Sequence, residues 1–290
     1  MTAVVVLNYG RPDLTAACCE SLLAQDLPPR RVLVVDNGSP APGEAALRDA
    51  LPPGVDLLPL PANLGFAGGM NAGMRDVLRD PAVDSVLFLN NDTRCPPGLL
   101  RAMRRALADD PAAGIVGCDM SGADGGADQP AGAKLHHLFA YSLPCRPGES
   151  PDYLQGACLL LPRDVLEATG GFDERYPFFF EDADLSLRVR RLGRTLAVAP
   201  GVRLLHYGSA TIAALTGRQA EWYRRSHRIF LRTWYSLPTA RALPPFLFRL
   251  AADFLHGRFA AVVGSWRGWR APLSPVSTEN IRNPARKDPA

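Results

Sequence analysis

Short β-branched, apolar runs alternate with amphipathic stretches through the first half of the chain. The runs at 4–7, 32–36, 55–60, 85–89 and 114–118 read as strands, and stretches near 12–24, 42–50, 69–79 and 97–108 read as helices. Several of these helices open on Pro, which suits the first helical position because an N–H there has no intrahelical partner. Apolar strands separated by helices predict an α/β fold with a mostly parallel sheet covered on both faces. Residues 119–152, rich in Gly, Pro, Ala and Asp, read as a long loop or insertion. A second block, 153–206, holds a strand at 158–161, a helix, an aromatic and acidic segment, another helix and short strands near 195–206.

In the helix after the acidic segment, Leu185, Val189 and Leu192 recur at core-facing spacing. That register sets Asp182 at the first turn, off the buried stripe and free to meet a ligand. Beyond Thr211 the pattern is helical throughout. Leu243, Leu247, Leu250 and Phe254 form one stripe within 243–262, with Arg249, Asp253 and Arg258 elsewhere. Such a helix either packs on the body of the protein or lies on an anionic membrane, the latter favoured by its arginines and by Trp266 and Trp269. The tail from Ala271, rich in Pro and polar residues, is expected to be disordered.

Composition narrows the class. The chain has 290 residues, 47% hydrophobic and 21% charged, enough for a sizeable core. Its net charge is +3, yet residues 218–270 hold ten arginines against Glu221 and Asp253, so the remainder is net acidic. A basic C-terminal third suits an anionic surface, and no nucleic-acid partner is expected. Six cysteines show no metal-binding spacing, and adjacent Cys18 and Cys19 suit reduced thiols. The N-terminus lacks a signal-peptide pattern and no apolar run approaches the ~20 residues of a membrane span. The chain is therefore expected in the cytoplasm, peripheral at the inner membrane face if it meets lipid.

The candidate chemistry gathers at predicted strand ends. The first strand ends in Asn8-Tyr9-Gly10 and the second in Asp36-Asn37-Gly38-Ser39, which share one rim of an open α/β sheet. An aromatic ring and a carboxylate there suit a nucleobase and ribose, although Asp-Asn-Gly also suits an ordinary turn. Asn63-Leu64-Gly65-Phe66-Ala67-Gly68-Gly69-Met70-Asn71 either aims backbone N–H groups at an anion or lets a helix approach a strand closely. It is neither a Walker loop nor a dinucleotide fingerprint, which argues against an ATPase or a dehydrogenase. The fourth strand leads into Asn90-Asn91-Asp92, where one carboxylate and a substrate pyrophosphate could hold a hard cation. His206, closing a later strand, is either structural or a further ligand. Finally, Phe178-Phe179-Phe180-Glu181-Asp182-Ala183-Asp184 sets carboxylates against apolar rings, which suits a shifted catalytic pKa or a helix cap.

In this order the motifs resemble those of family 2 glycosyltransferases, particularly a rhamnosyltransferase-like branch. The resemblance rests also on Gly156-Ala157-Cys158 and Gly170-Gly171-Phe172-Asp173-Glu174, and it spans roughly residues 3–210. It implies a GT-A fold and metal-dependent transfer, with inversion, of a sugar such as rhamnose from a dTDP- or UDP-linked donor. The acceptor would be a hydroxyl, lipid-linked in cell-surface polysaccharide or glycolipid assembly, or alternatively a soluble natural product. By position, Asp182 would be the base with Glu181 its neighbour. Asn8, Tyr9, Asp36, Asn63, Gly65, Gly69, Asn71 and Asn91 would hold the nucleotide sugar. Asp92 and His206 would hold Mg²⁺ or Mn²⁺, with Asn90 standing where many members carry a further Asp. Residues 1–210 would form the catalytic domain, with a nucleotide-sugar half at 1–118 and an acceptor half at 153–210. A basic extension would occupy 211–270 and a tail 271–290. The rivals are a sugar-phosphate nucleotidyltransferase, whose basic glycine-rich first turn is missing, and a non-catalytic sugar-nucleotide-binding protein.

Overall fold

A computed structural model describes residues 1–122, 128–146, 149–208 and 216–273. Four strands, β1 (Thr2–Asn8), β2 (Arg31–Asp36), β3 (Val55–Pro59) and β4 (Ser85–Asn90), run parallel in the order β3-β2-β1-β4. Helices α1 (Pro12–Leu23), α2 (Gly43–Ala50) and α3 (Gly65–Val77) connect them. The sheet continues from β4 through β10 (Cys158–Pro162), β6 (Ala113–Gly122) and β11 (Thr195–His206) to β5 (Thr93–Arg94). β10 is antiparallel to both neighbours, and β6 and β11 are parallel. Four of the seven pairs are thus parallel, in keeping with the expected sheet.

Both faces of this sheet are covered, which is why its strands read as unbroken apolar runs. Along β1, Val4 and Val6 join one core cluster with residues of α1 and α4 (Leu99–Asp109), while Ala3 and Val5 join another with residues of α3. The second cluster also receives Val165 of α5 (Arg163–Thr169) and Leu185 and Val189 of α6 (Glu181–Arg191). Leu192, expected on that face, is exposed because α6 has ended before it.

The stretch 119–152 is not a plain loop. Its start extends β6, and β7 (Gly132–Leu135) pairs with β8 (Ser142–Pro144) and β9 (Tyr153–Leu154) in a second, three-stranded sheet. Strands this short carry too few alternations to stand out against Gly and Pro.

The C-terminal region folds as α7 (Thr216–Trp234), α8 (Pro238–Leu255) and α9 (Phe259–Arg270). The single helix expected over 243–262 is broken at Gly257, whose φ is +67°. α8 buries Ala242, Phe246 and Asp253, so Leu243, Leu247 and Phe254 are turned outward. Of the expected tail, residues 274–290 lie outside the described residues.

Candidate active site

Strand register assembles the rim. β1 and β2 pair with Asn8 beside Asp36, and β1 and β4 pair with Leu7 beside Asn90. The residues that follow, Tyr9, Asn37, Asn91 and Asp92, line one cavity of about 440 Å³. Asn63 and Gly65 line it too, as do Glu181 and Asp182 from the other half of the chain. The two distant acidic segments therefore meet.

Five predicted residues lie outside the cavity lining: Asn8, Asp36, Gly69, Asn71 and His206, the last of which sits beside the lining residue Asp92. Asn8 is fully buried; its amide donates to Asp36 (2.8 Å) and Ser39 (3.2 Å) while its oxygen accepts from Thr15 (2.8 Å). Asp36, also buried, is held by that contact. Asn71 donates to the Phe172 carbonyl (2.8 Å) and Glu174 (2.9 Å) and accepts from the Phe172 N–H (2.9 Å), clamping α3 to the segment before α6. Gly69 serves packing: a Cβ there would stand 2.4 Å from Leu7 Cδ1, as one on Gly73 would from Val5 Cγ1. At the start of α3, moreover, the Leu64 and Gly65 N–H groups donate to Asn37 (2.9 Å) and Asn63 (2.8 Å) rather than facing the cavity free.

The acidic wall is held under strain. Phe179 and Phe180, just before α6, have φ of 70° and 67°. Such left-handed geometry costs roughly 1–3 kcal/mol per residue and persists only where packing enforces it. Here α7 supplies the packing: Tyr223 meets both rings, Phe230 and His227 meet Phe180, and Ser226 Oγ donates to the Phe178 carbonyl at 2.8 Å. Among the three acids of the run, Asp184 is committed to the fold, accepting from Trp234 Nε1 (2.8 Å) and pairing with Arg188 (2.7 Å). Asp182 accepts from the Gly156 N–H (3.0 Å) and the Ala183 N–H (2.8 Å). Burial pushes its carboxyl up to about 6, against those two N–H groups, which favour the anion. Glu181 is buried, its Oε2 has no partner, and burial with the neighbouring Asp182 charge raises it well above the ordinary carboxylate range. Burial thus raises both acids of the pair, Asp182 to about 6 and Glu181 well above its ordinary range.

Pairing of β11 with β5 brings His206 opposite Thr93, and the Tyr207 N–H donates to the Asp92 carbonyl (2.9 Å). His206 Nε2 then lies 3.2 Å from Asp92 Oδ1. The ring is not aligned to donate, and both its nitrogens lack a hydrogen-bond partner although buried. Donors about 2.1 Å from one octahedral cation, at right angles, lie about 3 Å apart, so the pair could hold such an ion. Among the described residues no group of three His, Cys, Asp or Glu side chains could do so. The remaining positions would need oxygens from a substrate or water.

Other lining residues were not among the expected site residues. Arg218 and Trp222 come from α7, Phe66 from α3, and Tyr153 from β9. Arg218 lies over the Trp222 ring at 5.8 Å and is the sole Lys or Arg lining the cavity among the described residues. Its helix was legible, but not the face that looks into the cavity.

Solved structures share this architecture. One is a mannosyltransferase of Pyrobaculum calidifontis in complex with GDP-Man and Mn²⁺, with a TM-score of 0.59 and 21% identity over 92% of this chain and 73% of that one. Another is TarS residues 1–349 of S. aureus in complex with UDP, with a TM-score of 0.56 and 16% identity over 92% and 89% of the two chains. These likenesses show the fold, which is GT-A. Among curated proteins, the chain is 29% identical to the N-acetylglucosaminyl-diphospho-decaprenol L-rhamnosyltransferase of Mycobacterium tuberculosis, over 80% of this chain and 84% of that protein. It is 30% identical to the O-antigen biosynthesis protein RfbC of Myxococcus xanthus, over 76% of this chain but 18% of that one. A model of glycosyl transferase family 21 matches residues 149–272. The model of glycosyl transferase family 2 matches residues 3–170, more than half of the chain and all of the strand-end motifs from Asn8 to Asp92, and the chain belongs to that family.

Proposed function

We propose that the chain transfers a sugar, rhamnose by analogy, from a dTDP- or UDP-linked donor to a lipid-linked hydroxyl in cell-surface polysaccharide assembly, with inversion at the anomeric carbon. The observation that carries this reading is that Asp182, with its pKa near 6, opens into the same cavity as Asp92. The acceptor hydroxyl gives its proton to the Asp182 carboxylate as its oxygen bonds to the anomeric carbon. The bond from that carbon to the diphosphate breaks on the opposite face, leaving its electron pair on the diphosphate. A base whose pKa lies just below the working pH is ionised yet still basic enough to take the proton. Support for the lipid-linked acceptor comes from the mycobacterial relative, an L-rhamnosyltransferase acting by its name on N-acetylglucosaminyl-diphospho-decaprenol.

Tyr9, Asn63 and Gly65 line the nucleoside end in this reading, with Asn91 beside them. Asn8, Asp36, Gly69 and Asn71 hold that end in shape from below. Asp92 and His206 would hold Mg²⁺ or Mn²⁺, which when bound supplies positive charge to the departing diphosphate. Arg218 brings a permanent charge to the same cavity and meets diphosphate oxygens. Because α7 both lines the cavity and braces the Phe178–Phe180 run, we assign it to the catalytic unit together with residues 1–210.

The decisive experiment is Asp182→Asn. Transfer falls by ~10³, the scale of a positioned base, while calorimetric donor affinity stays within about twofold. Unimpaired transfer removes Asp182 from its role. A wild-type chain that binds nucleotide sugars but transfers none leaves a binding protein.

A further inference from the structure

The last two helices are apolar on the side turned away from the protein. α9 meets α7 through small residues: a Cβ on Gly264 would stand 1.8 Å from the Gly217 carbonyl oxygen, and one on Gly268 2.3 Å from that of Glu221. Ala261 and Ser265 are buried beside them, whereas Phe259, Val263 and Trp266 are exposed. α8 likewise packs by Ala242, Phe246 and Asp253 and turns out Leu243, Leu247, Phe248, Phe254 and Leu255. Phe248 and Leu255 are 77% and 82% exposed, an arrangement water disfavours.

Charge identifies what covers this face. The sole acid in residues 238–270 is Asp253, which is fully buried against Arg249 and Arg258, each at 2.9 Å. Arg249, Arg258, Arg267 and Arg270 are exposed around the apolar side chains. A second copy of this face would bring cations against cations. Residues 274–290 hold only Val276 and Ile281 as large aliphatics, too few to cover it. No helix among the described residues is long and apolar enough to cross a membrane. Apolar side chains rimmed by arginines with no exposed acid fit a helix pair lying in a lipid headgroup layer.

We propose that α8 and α9 dock the enzyme on an anionic bilayer, their outward apolar side chains entering the acyl boundary and the exposed arginines meeting lipid phosphates. This rests on the lipid-linked acceptor reading and adds the surface that meets the lipid. The test is co-sedimentation of the full chain with phosphatidylglycerol–phosphatidylcholine vesicles and with phosphatidylcholine vesicles alone. Wild type binds the anionic vesicles and releases them as salt rises. The combined variant Leu247→Ser, Phe248→Ser and Leu255→Ser partitions about tenfold less or lower, yet turns over a water-soluble, short-chain acceptor at the wild-type rate. Arg267→Glu with Arg270→Glu lowers binding to anionic vesicles and flattens its salt dependence. Equal partition of wild type and the triple serine variant overturns docking, as does self-association that the variant abolishes without vesicle binding by wild type. Vesicle binding without sugar transfer would instead sink the transferase reading and leave docking intact.

Discussion

Two layers of polar residues surround the cavity, and they differ in how their hydrogen bonds are used. Below it, Asn8 and Asp36 are buried and bonded to each other at 2.8 Å, and buried Asn71 is bonded to Phe172 and Glu174 at 2.8–2.9 Å. At and beside it stand Asp182 and Asp92 with their neighbours Glu181 and His206, and Glu181 Oε2 and both His206 nitrogens are buried with no hydrogen-bond partner. An unpaired buried polar group costs about 1–3 kcal/mol; Arg188, Arg224 and His227 carry such atoms elsewhere in the fold, and what sets Glu181 and His206 apart is their place at or beside the cavity. In the proposed reading the lower layer shapes the site and the upper layer meets substrate.

The upper layer is most sharply tested by pH. As the proposed base, Asp182 would act only when ionised, so transfer should be full above its value of about 6 and lost as pH falls through it. At pH 4 roughly 1% of the base remains, and kcat drops ~100-fold. A flat profile from pH 4 to 8, with the protein still folded by circular dichroism, would break the comparison at its centre.

Next in size is the Asp92–His206 pair. Asp92→Ala and His206→Ala should each weaken Mn²⁺-dependent donor binding by about 10–100-fold, the range for removing groups at a metal site. The readout is donor calorimetry with and without Mn²⁺. Equal affinity under both conditions, in wild type and variants alike, removes the cation from the site.

The lower layer makes the opposite forecast. Asn71→Ala leaves the Phe172 N–H and carbonyl without their partner and should cost ~2 kcal/mol of stability. The kcat per folded molecule should change less than for either upper-layer variant. Urea unfolding and active-site titration together check this. A stable Asn71→Ala protein that has lost donor binding would move Asn71 to the upper layer.

These layers explain what the sequence could and could not tell. Strand ends, and so the rim from Tyr9 to Asp92, follow from local apolar runs and turn residues. The aromatic and acidic run announced its own pKa problem. Asn71 could not be sorted from Asn63, since its partner Phe172 is 101 positions away. Gly69 reads alike as an anion cradle or as a gap for Leu7. The stripe Leu243, Leu247, Leu250 and Phe254 was visible as amphipathic, but periodicity gives a stripe without saying which side the protein covers. Arg218 needed the docking of α7 to become a cavity residue.

The smallest forecast concerns Glu181, whose folded value lies well above its ordinary 4.5 because of burial and then Asp182. A raised carboxyl holds its proton more tightly in the folded state. Stability is therefore highest below the unfolded value and is eroded as pH rises from 4.5 toward the folded one. Glu181→Gln keeps the shape and cannot ionise, so it escapes that erosion. At pH 4 the two proteins should melt together, while at pH 8 the variant should melt higher by a few degrees, on the order expected for ~1 kcal/mol. A variant less stable than wild type at pH 8 would mean that ionised Glu181 is held by a partner, and would place it in the lower layer with Asn8 and Asp36.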